Sequence, residues 1–556
     1  MKEKSLKDAI HGYIKLEEPF WRIVDTVEFQ RLKWIEQTSY RVLYPSARHD
    51  RFIHSVGVYH LGTRAISGFL QNSSPDDQEL INKYKNSFLM ACILHDIGHA
   101  PFSHTCEDLY NYRQKASDLS AELNKELLEQ MELCLSKDEY DSFYLDYNYI
   151  LSPKGKTPSE HEIMSSIVSI RNFSKFSSFF PEEEKLNLSL DLIIRAIVGC
   201  CYASKPTDKE ETNREKGIKN CLIRLLNSST VDVDKLDYIA RDTQMSGYDN
   251  IVLDTERLLG SICTTCDDNV YYPAFKKSAL SVINNVVVAK NSQAKWIVNH
   301  PVVIYESYLL RRAVGETLKL MAESIKEPKT SCDDLIKTIF SSKSLSKDGN
   351  NVGQYKFSLL SDVELLYLMK QQISLNSVSE YFSRNERKGP VWKSNEEFLF
   401  CLDSDEEKAI EVASFVKPLI THLNEIEDLS HKKQIDQSLY DEIESNKDFE
   451  GGEELIRILD VIRNYTTENG EKASFEYVIL PAKNSFYTKI NSKKLYIRFN
   501  NDDDGFTTYD KIVSNKQEDT KKTYEFFYLY SKDKINANHF LNYLYENAHK
   551  NIEVRI

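Results

Sequence analysis

HDIGHAPFSH, residues 95–104, follows directly on the apolar run Phe88–Leu94. The run predicts a buried helix, and the imidazole and carboxylate that open the stretch then lie near its C-terminal end. Together these two groups suit a divalent metal of the hydrolytic kind better than a soft thiolate site would. One doublet does not complete a coordination sphere, so further ligands must come from elsewhere. His54 upstream and Asp234 downstream are the candidates.

Several separated motifs resemble those of the HD-domain metal-dependent phosphohydrolases. They are, in chain order, Ile10-His11-Gly12, Asp25-Thr26, Phe29-Gln30-Arg31-Leu32, Arg51-Phe52, His54-Ser55, His95-Asp96-Ile97-Gly98-His99, Pro101-Phe102-Ser103-His104, His161-Glu162, Asp232-Val233-Asp234-Lys235, Asp237-Tyr238 and Ala240-Arg241-Asp242. A single His-Asp doublet occurs often by chance, whereas this ordered set is specific. The flanking residues narrow the resemblance to the deoxynucleoside triphosphate (dNTP) triphosphohydrolases, and within them to enzymes with a SAM domain before the HD domain. The resemblance covers roughly residues 5–320, so we expect no SAM domain here.

The resemblance implies that His54, His95, Asp96 and Asp234 bind a divalent metal. Imidazole ligands favour Mn²⁺ or Fe²⁺, and a phosphate substrate favours Mg²⁺. It further implies that a metal-activated water attacks the α-phosphorus of a dNTP, and that His99 donates a proton to the leaving 5′ oxygen. If the helix continues past the doublet, His99 shares a face with His95, four residues earlier.

His104, His161 and Glu162 complete the catalytic set that the resemblance implies. Pro101 predicts a helix end, which leaves His104 on a turn facing the same cavity. Glu162 is expected to orient His99, as a carboxylate does when it fixes a histidine tautomer. The alternatives are a histidine on a surface loop and an ordinary polar pair at a helix start.

The resemblance also supplies substrate contacts. Arg51 and Lys235 are expected to bind the triphosphate, since guanidinium and ammonium groups both bind phosphate oxygens. Tyr238 is expected to pack on the sugar, and Asp242 and Gln37 to bind the 3′-hydroxyl. For either cation alone, a solvated surface charge is the alternative.

Two departures from the family bear on substrate binding. Residues 38–41 replace a glycine-rich stretch, which leaves base and sugar selectivity open. The family carries a phosphate-binding arginine after the position of His300, where residues 301–303 are Pro-Val-Val. Arg311 or Arg312 could substitute for it, and a helix-surface role is the alternative.

An activator site is only partly matched. Asp25, Gln30 and Arg31 correspond to residues that read a guanine nucleotide in the resembled enzymes, and Lys33 stands where an arginine is expected. We therefore expect a nucleotide-activated homo-oligomer, a dimer or tetramer, with a changed activator preference.

The composition is that of a folded protein. With 556 residues, 41% of them hydrophobic and 28% charged, the chain is long enough for more than one domain. The net charge of −14 argues against a general nucleic-acid-binding protein, which normally has a basic face.

No apolar run approaches the roughly 20 residues that span a bilayer, so we expect no membrane segment. The ten cysteines show no regular spacing and indicate reduced thiols in the cytoplasm. We interpret residues 263–266, Cys-Thr-Thr-Cys, as a turn between short strands rather than a zinc site.

We predict a mainly α fold, with an HD-domain helical core and a smaller C-terminal α+β lobe. The core is expected over residues 1–330, a mostly helical connecting region over 331–470, and the lobe over 471–556. Residues 107–160 are expected to be an insertion that caps the site or forms an interface. In the lobe, residues 475–480, 494–499 and 524–530 are typical of strands.

The implied function is cytosolic, metal-dependent hydrolysis of dNTP to deoxynucleoside and inorganic triphosphate, with antiviral dNTP depletion as a conceivable role. Two alternatives stay open: an HD phosphohydrolase acting on another nucleotide or a nucleic-acid end, and a nucleotide-binding regulator without turnover. The sugar contacts favour a nucleoside triphosphate, and the intact metal ligands argue against loss of turnover. The expected partners are the dNTP, an activating nucleotide and further copies of the chain, but neither a membrane nor nucleic acid.

Overall fold

The computed structural model describes residues 3–204, 208–248, 252–267, 270–325, 329–426, 433–446, 451–482, 490–499, 505–513 and 526–549. The chain forms two compact units. Unit 1 comprises residues 1–293, 322–366 and 488–516, and unit 2 comprises 294–321, 367–487 and 517–556. The predicted regions 331–470 and 471–556 therefore each contribute to both units, in place of the three consecutive regions expected from the sequence.

The fold is mainly α, as predicted. The α-helices are, in chain order, α1 (Glu18–Val24), α2 (Val27–Gln30), α3 (Arg51–Gln71), α4 (Pro75–Leu94), α5 (Glu122–Cys134), α6 (Lys137–Leu151), α7 (Glu160–Ser177), α8 (Glu182–Lys185), α9 (Leu190–Val198), α10 (Glu210–Leu226), α11 (Val233–Ser246), α12 (Thr255–Leu259), α13 (Leu280–Gln293), α14 (Pro301–Ser324), α15 (Cys332–Ile339), α16 (Asp362–Gln371), α17 (Asn376–Phe382), α18 (Asn395–Phe400), α19 (Glu406–Glu425), α20 (Gln437–Ser445), α21 (Gly452–Arg463), α22 (Tyr509–Ile512) and α23 (Ala537–His549).

The strands belong to small sheets. They are β1 (Lys4–Asp8), β2 (Gly12–Leu16), β3 (Ile262–Asp267), β4 (Val270–Lys276), β5 (Asn350–Val352), β6 (Tyr355–Phe357), β7 (Gly389–Pro390), β8 (Gln434–Ile435), β9 (Tyr477–Pro481), β10 (Tyr496–Arg498), β11 (Phe506–Thr508) and β12 (Phe527–Ser531). Unit 1 contains the hairpins β1-β2 and β5-β6 and a sheet of order β11-β10-β4-β3, and unit 2 contains a sheet of order β7-β12-β9-β8.

The three predicted C-terminal strands form, but they do not share one sheet. β10 pairs in parallel with β4 in unit 1, whereas β9 and β12 pair with each other in unit 2. Alternation of apolar and polar residues predicts that a strand exists, not which strand it pairs with. The interpretation of residues 263–266 as a turn is wrong, because they lie within β3, with Cys263 buried and Cys266 exposed.

Three helices of unit 1 begin or end at the predicted site. Asp50 caps α3, accepting a hydrogen bond from the Ile53 amide at 2.9 Å, and Asp232 caps α11, accepting one from the Lys235 amide at 2.8 Å. His54 and Asp234 therefore lie in first helical turns, where backbone N–H groups favour negative charge. Among the described residues, no helix has the length and apolarity needed to cross a bilayer.

α4 ends at Leu94, so the expectation that a continuing helix places His99 on the face of His95 is wrong. Residues 95–98 form turns, in which the His99 amide donates to the Asp96 carbonyl at 3.0 Å. Gly98 makes this possible: a Cβ there would lie 2.3 Å from the Ser165 backbone nitrogen in α7. The turn can thus pack directly against that helix.

Candidate metal centre and active site

The four predicted metal ligands come together in unit 1. One oxygen of Asp234 lies 3.1 Å from His54 Nε2 and 3.7 Å from His95 Nε2. The two oxygens of Asp96 lie 3.6 Å from His54 Nε2 and 3.5 Å from His95 Nε2. Two imidazole nitrogens and two carboxylates therefore converge, which is a donor set for a divalent cation with some preference for imidazole.

The ring nitrogens are oriented for metal binding. His95 Nδ1 donates to the Cys92 carbonyl at 2.9 Å, and His95 Nε2 is buried without a hydrogen-bond partner. His54 Nδ1 donates to Asp237 Oδ2 at 2.7 Å, so Nε2 is the atom that faces the other ligands. An outer hydrogen bond of this kind fixes the tautomer of a ligating histidine. An unpartnered buried nitrogen at the centre of the cluster is what a metal site requires.

The electrostatics also fit a cation. Burial opposes ionisation of Asp96 and Asp234, but the neighbouring histidines, with Arg51 at Asp96, lower the pKa of both carboxyl groups. Burial lowers the pKa of His54, yet Asp234 and Asp237 outweigh it and raise this pKa to about 9. Asp96 and Asp234 are thus ionised, and two carboxylates with two imidazoles are a donor set that fits a divalent metal.

A buried ionic network contacts His54 on the Nδ1 side of its ring, away from the other proposed ligands. No role for this network was predicted from the sequence. Asp237 Oδ1 accepts from His11 Nε2 at 2.6 Å, and Arg241 donates to both oxygens of Asp237 at 2.8 and 2.9 Å. Arg241 also donates to Asp8 Oδ2 at 2.8 Å. The signal in the sequence was the spacing of Asp237, three residues after Asp234 on α11, which places both on one helix face.

Gly57 makes room for this network, and we expect Gly57→Ala to destabilise the protein strongly. A Cβ at this position would lie 2.0 Å from Asp237 Oδ1 and 2.6 Å from Arg241 Nη2. Over-packing plus displacement of buried charges should lower the free energy of unfolding by about 3 kcal/mol. Urea denaturation measures the change. Gly247→Ala is a poor control because φ there is +68°, whereas Gly389→Ala meets open space and should be neutral.

A second cluster holds the predicted catalytic histidines. His99 and His161 stack with their ring centroids 4.3 Å apart, and His104 packs against both at 5.0 and 5.3 Å. His99 is fully buried, and neither of its ring nitrogens has a hydrogen-bond partner within the described residues, although Nε2 lies 3.9 Å from Asp96 Oδ1. His104 is the exposed member, with 65% of its side chain accessible.

Glu107, which the sequence reasoning missed, organises this cluster. Its carboxylate accepts from His104 Nδ1 at 2.6 Å and from His161 Nδ1 at 2.7 Å. Burial opposes ionisation of Glu107, but the two histidines lower its pKa; burial likewise opposes protonation of His161, but Glu107 raises that pKa to about 9. Burial and the surrounding cations lower the pKa of His99. His161, which Glu107 pairs with, is thus the protonated imidazole, whereas the buried His99 is neutral.

Glu162 does not take the predicted position beside His99. Its Oε2 accepts from the Ser159 amide at 2.8 Å and completes the capping box of α7. Its Oε1 accepts from Asn227 Nδ2 at 2.7 Å. Ser-x-x-Glu before a helix is the capping-box pattern itself, so the sequence carried this signal.

Arg51 lies at the site but contacts protein groups. It donates to Asp96 Oδ2 at 2.8 Å, to Ser103 Oγ at 3.0 Å and to the Gln37 carbonyl at 3.2 Å. The sequence led us to expect that the Arg51 guanidinium binds phosphate. In the structure its hydrogen bonds go to protein groups instead, and one of them orients the proposed metal ligand Asp96.

The two lysines near the proposed metal ligands differ in their hydrogen bonds and ion pairs. Lys235 Nζ donates to the Ser228 carbonyl at 2.8 Å and pairs with Asp232. Lys290 on α13 was not predicted; in the described part of the chain it has no hydrogen bond or ion pair. Burial and the neighbouring Lys235 lower the pKa of Lys290 to about 8, while Asp232 and Asp234 oppose the shift. Lys290 is thus a partly buried ammonium near Asp232 and Asp234 that forms no direct ion pair within the described residues.

The predicted sugar contacts are also brought to this region. Asp242 accepts from His49 Nε2 and from Gln293 Nε2, each at 2.7 Å, so its carboxylate is held in one orientation. Gln37 Oε1 is buried and has no hydrogen-bond partner. Tyr238 lies on α11 between Asp234 and Asp242. Arg312, considered above as a phosphate ligand, pairs instead with Glu316 in unit 2.

The predicted activator residues have mixed environments. Arg31 is buried and donates to the carbonyls of Leu360, Ile97 and His99 at 2.7, 2.8 and 3.0 Å, so it is not exposed to a nucleotide as expected. Asp25 pairs with Lys4, Gln30 Nε2 donates to the Val24 carbonyl at 2.7 Å, and Lys33 packs over the ring of Phe52.

Comparison with known proteins agrees with this geometry. Residues 51–142 match the HD domain family model. An uncharacterized protein of Methanocaldococcus jannaschii is 26% identical over 325 residues, 58% of this chain and 52% of that protein. The deoxynucleoside triphosphate triphosphohydrolase SAMHD1 homolog of Dictyostelium discoideum is 24% identical over 375 residues, 64% of this chain and 60% of that protein. Human SAMHD1 is 40% identical over 106 residues, 18% of this chain and 16% of that protein.

The first curated relatives are matched over 52% to 63% of their own length. A crystal structure of a hypothetical protein from Aquifex aeolicus covers 99% of this chain and 100% of that chain, with a TM-score of 0.49 and 15% identity. The HD domain match contains His54, His95, Asp96, His99, His104 and Glu107.

Proposed function

We propose that the protein is a metal-dependent dNTP triphosphohydrolase, releasing deoxynucleoside and inorganic triphosphate. The match of residues 51–142 to the HD domain family model supports this proposal. The observation that carries the proposal is the convergence of His54, His95, Asp96 and Asp234 beside an unpartnered cation and three histidines. The SAMHD1 relatives support the substrate class.

His54, His95, Asp96 and Asp234 would hold the metal. A divalent ion bound there lowers the pKa of a bound water and neutralises phosphate charge. Asp237, through His54, and the Cys92 carbonyl, through His95, fix the rings so that each presents Nε2. Arg51 fixes the Asp96 carboxylate in the same way.

The histidine cluster would supply the proton for the leaving 5′ oxygen. The family resemblance points to His99, and the hydrogen bonds favour the pair held by Glu107. A carboxylate on Nδ1 stabilises the imidazolium and directs Nε2–H outward. Of the two, His104 is exposed and within reach of a bound substrate.

Lys290 is proposed to bind the triphosphate in place of the arginine expected after His300. Lys290 lies one helical turn before Gln293 on α13, and Gln293 donates to Asp242. One face of this helix would therefore contribute both to triphosphate binding, through Lys290, and to binding of the 3′-hydroxyl, through Asp242. Asp242 and the unpartnered Gln37 Oε1 would bind the 3′-hydroxyl. Asp25, Gln30 and Lys33, and a nucleotide-driven oligomer, stay predictions.

The function is tested by incubating the purified protein with Mn²⁺ or Mg²⁺ and each dNTP, singly and in pairs, and separating products by ion-pairing chromatography with mass detection. Deoxynucleoside plus intact triphosphate is expected. Turnover only with pairs of nucleotides would indicate an activator. Phosphate or pyrophosphate as the product would contradict the proposal, and absence of turnover would favour another substrate or a binding role.

Lys290→Met should lower kcat/KM for dNTP about 30-fold, because a charged hydrogen bond to phosphate contributes about 2 kcal/mol. Lys290→Arg should retain most activity, since it keeps the charge and can reach a phosphate. Steady-state kinetics at pH 7 measures both. Equal losses in the two variants would point to a packing effect and argue against a phosphate contact.

A further inference from the structure

The loop between His99 and His104 has an unusual backbone. Phe102 and Ser103 are consecutive non-glycine residues in the left-handed region, with φ of 58° and 52°. Side chains other than glycine rarely adopt this conformation, and it persists only where surrounding groups fix it. Since His104 follows directly, the turn sets the direction in which its imidazole points.

Besides the turn's own backbone hydrogen bonds, such as the Ser103 amide to the Ala100 carbonyl at 3.0 Å, groups from other parts of the chain fix this turn. The Phe102 amide donates to Asp362 Oδ1 at 2.6 Å. Ser103 Oγ donates to the Glu36 carbonyl at 2.6 Å, and Arg51 Nε donates to Ser103 Oγ at 3.0 Å. Asp362 thus holds the first strained residue, and Glu36 with Arg51 holds the second.

The same carboxylate also holds the opposite side of the loop. Asp362 Oδ2 accepts from the Glu36 amide at 2.9 Å, so one buried side chain, 5% exposed, bridges the backbones of Phe102 and Glu36. Arg31 provides a second link between the segment just before Asp362 and the active-site loop. It donates to the Leu360 carbonyl through one nitrogen and to the carbonyls of Ile97 and His99 through another.

We propose that Asp362 is a positioning residue of the active site: by bridging Phe102 and Glu36 it fixes the strained turn and so directs His104 onto Glu107. Asp362 acts through the backbone, and the hydrogen bonds and ion pairs of the described residues join it to neither the proposed metal ligands nor the histidine rings. It lies more than 250 residues after this loop, on α16, where no motif marks it. The inference rests on the proposed function for its kinetic consequence, and on geometry alone for its structural one.

The kinetic test compares Asp362→Asn with Glu364→Gln. Glu364 is a matched control two residues away, since its carboxylate accepts only from the Ser361 amide and hydroxyl among the hydrogen bonds of the described residues. In D362N one acceptor becomes an NH₂ that faces a backbone N–H. We expect kcat for dNTP to fall about tenfold or more, as a misdirected catalytic group implies, with KM and bound metal unchanged. E364Q should match wild type.

A double-mutant cycle separates positioning from a general structural effect. In a His104→Ala background the Asp362→Asn change should lower kcat by less than twofold, because the group it positions is gone. Equal effects in both backgrounds, a loss that follows metal content, or a D362N kcat within twofold of wild type would each overturn the proposal. If D362N does not fold, D362S, which is smaller and uncharged, replaces it in the cycle.

Crystal structures of wild type and D362N test the geometry without any assay, and so independently of the proposed function. In D362N, Phe102 and Ser103 should leave the positive-φ region, and His104 Nδ1 should move out of hydrogen-bond distance of Glu107. An unchanged turn in the variant would overturn the positioning role, whatever the substrate proves to be. Absence of dNTP turnover in the wild type would instead overturn the proposed function.

Discussion

Asp234→Asn is expected to abolish the proposed dNTP turnover, lowering kcat by about a thousandfold or more. The amide carries no charge and cannot replace the oxygen that lies 3.1 Å from His54 Nε2 and 3.7 Å from His95 Nε2. The ion contributes several kcal/mol of charge stabilisation in hydrolysis, and each 1.4 kcal/mol is about a factor of ten in rate. Metal content by mass spectrometry should fall in parallel with kcat.

The matched control is Asp254→Asn. Asp254 is an exposed residue at the N-terminus of α12, where it accepts from the Arg257 amide at 3.0 Å. Asparagine is an equally good N-cap, so this variant should keep its metal, its turnover and its thermal stability. An Asp234→Asn protein that keeps both metal and turnover would show that the cluster is not the metal centre. Loss of turnover with full metal content would show that Asp234 acts in catalysis and is not needed for metal binding.

The convergence of the four proposed metal ligands could be predicted from the sequence because their chemistry and order are carried by a few short motifs. His95 and Asp96 are adjacent, and His54 and Asp234 each lie one or a few residues inside a capped helix. What failed was local geometry. The helix ends before His95 because the Gly98 turn packs against the α7 backbone, and no periodicity in the sequence shows that contact.

The residues that support the ligands were harder to predict, for a physical reason. Asp362 and, through His161, Glu107 have partners that are distant in sequence, and Lys290 has no hydrogen bond or ion pair within the described residues. Glu162, in contrast, was assigned from the resemblance of His161-Glu162 to a family motif, although the Ser159 capping box accounts for its position. Arg31 shows the same limit, since a buried guanidinium that binds carbonyl groups has the same local sequence as an exposed one.

The fold class could be predicted from the sequence, but the division of the chain into two compact units could not. The apolar periodicities of α3, α4 and α11 specify amphipathic or buried helices, and alternation specifies β9, β10 and β12. Nothing in these patterns shows that β10 pairs with β4, more than 200 residues earlier, while β9 and β12 pair with each other. Pairing depends on which edges meet in three dimensions, so the expected single C-terminal lobe is divided between two units.

Glu107→Gln should lower kcat by about a hundredfold to a thousandfold, the contribution of a positioned acid–base group. Glutamine offers one oxygen where His104 Nδ1 and His161 Nδ1 now donate to two, and it lacks the charge that raises the pKa of His161. Metal content should be unchanged, since Glu107 contacts no metal ligand by hydrogen bond or ion pair among the described residues.

Glu162→Gln distinguishes this view from the sequence-based assignment. Glutamine can still complete the capping box with Ser159, so the structure predicts turnover near wild type and little change in stability. If Glu162 orients His99, its variant should lose kcat and Glu107→Gln should not. Measuring kcat and metal content for the two variants under the same conditions decides between the carboxylates. A loss in both variants would require a hydrogen-bond path from Glu162 to His99 that the present geometry lacks, since both of its oxygens already accept from Ser159 and Asn227.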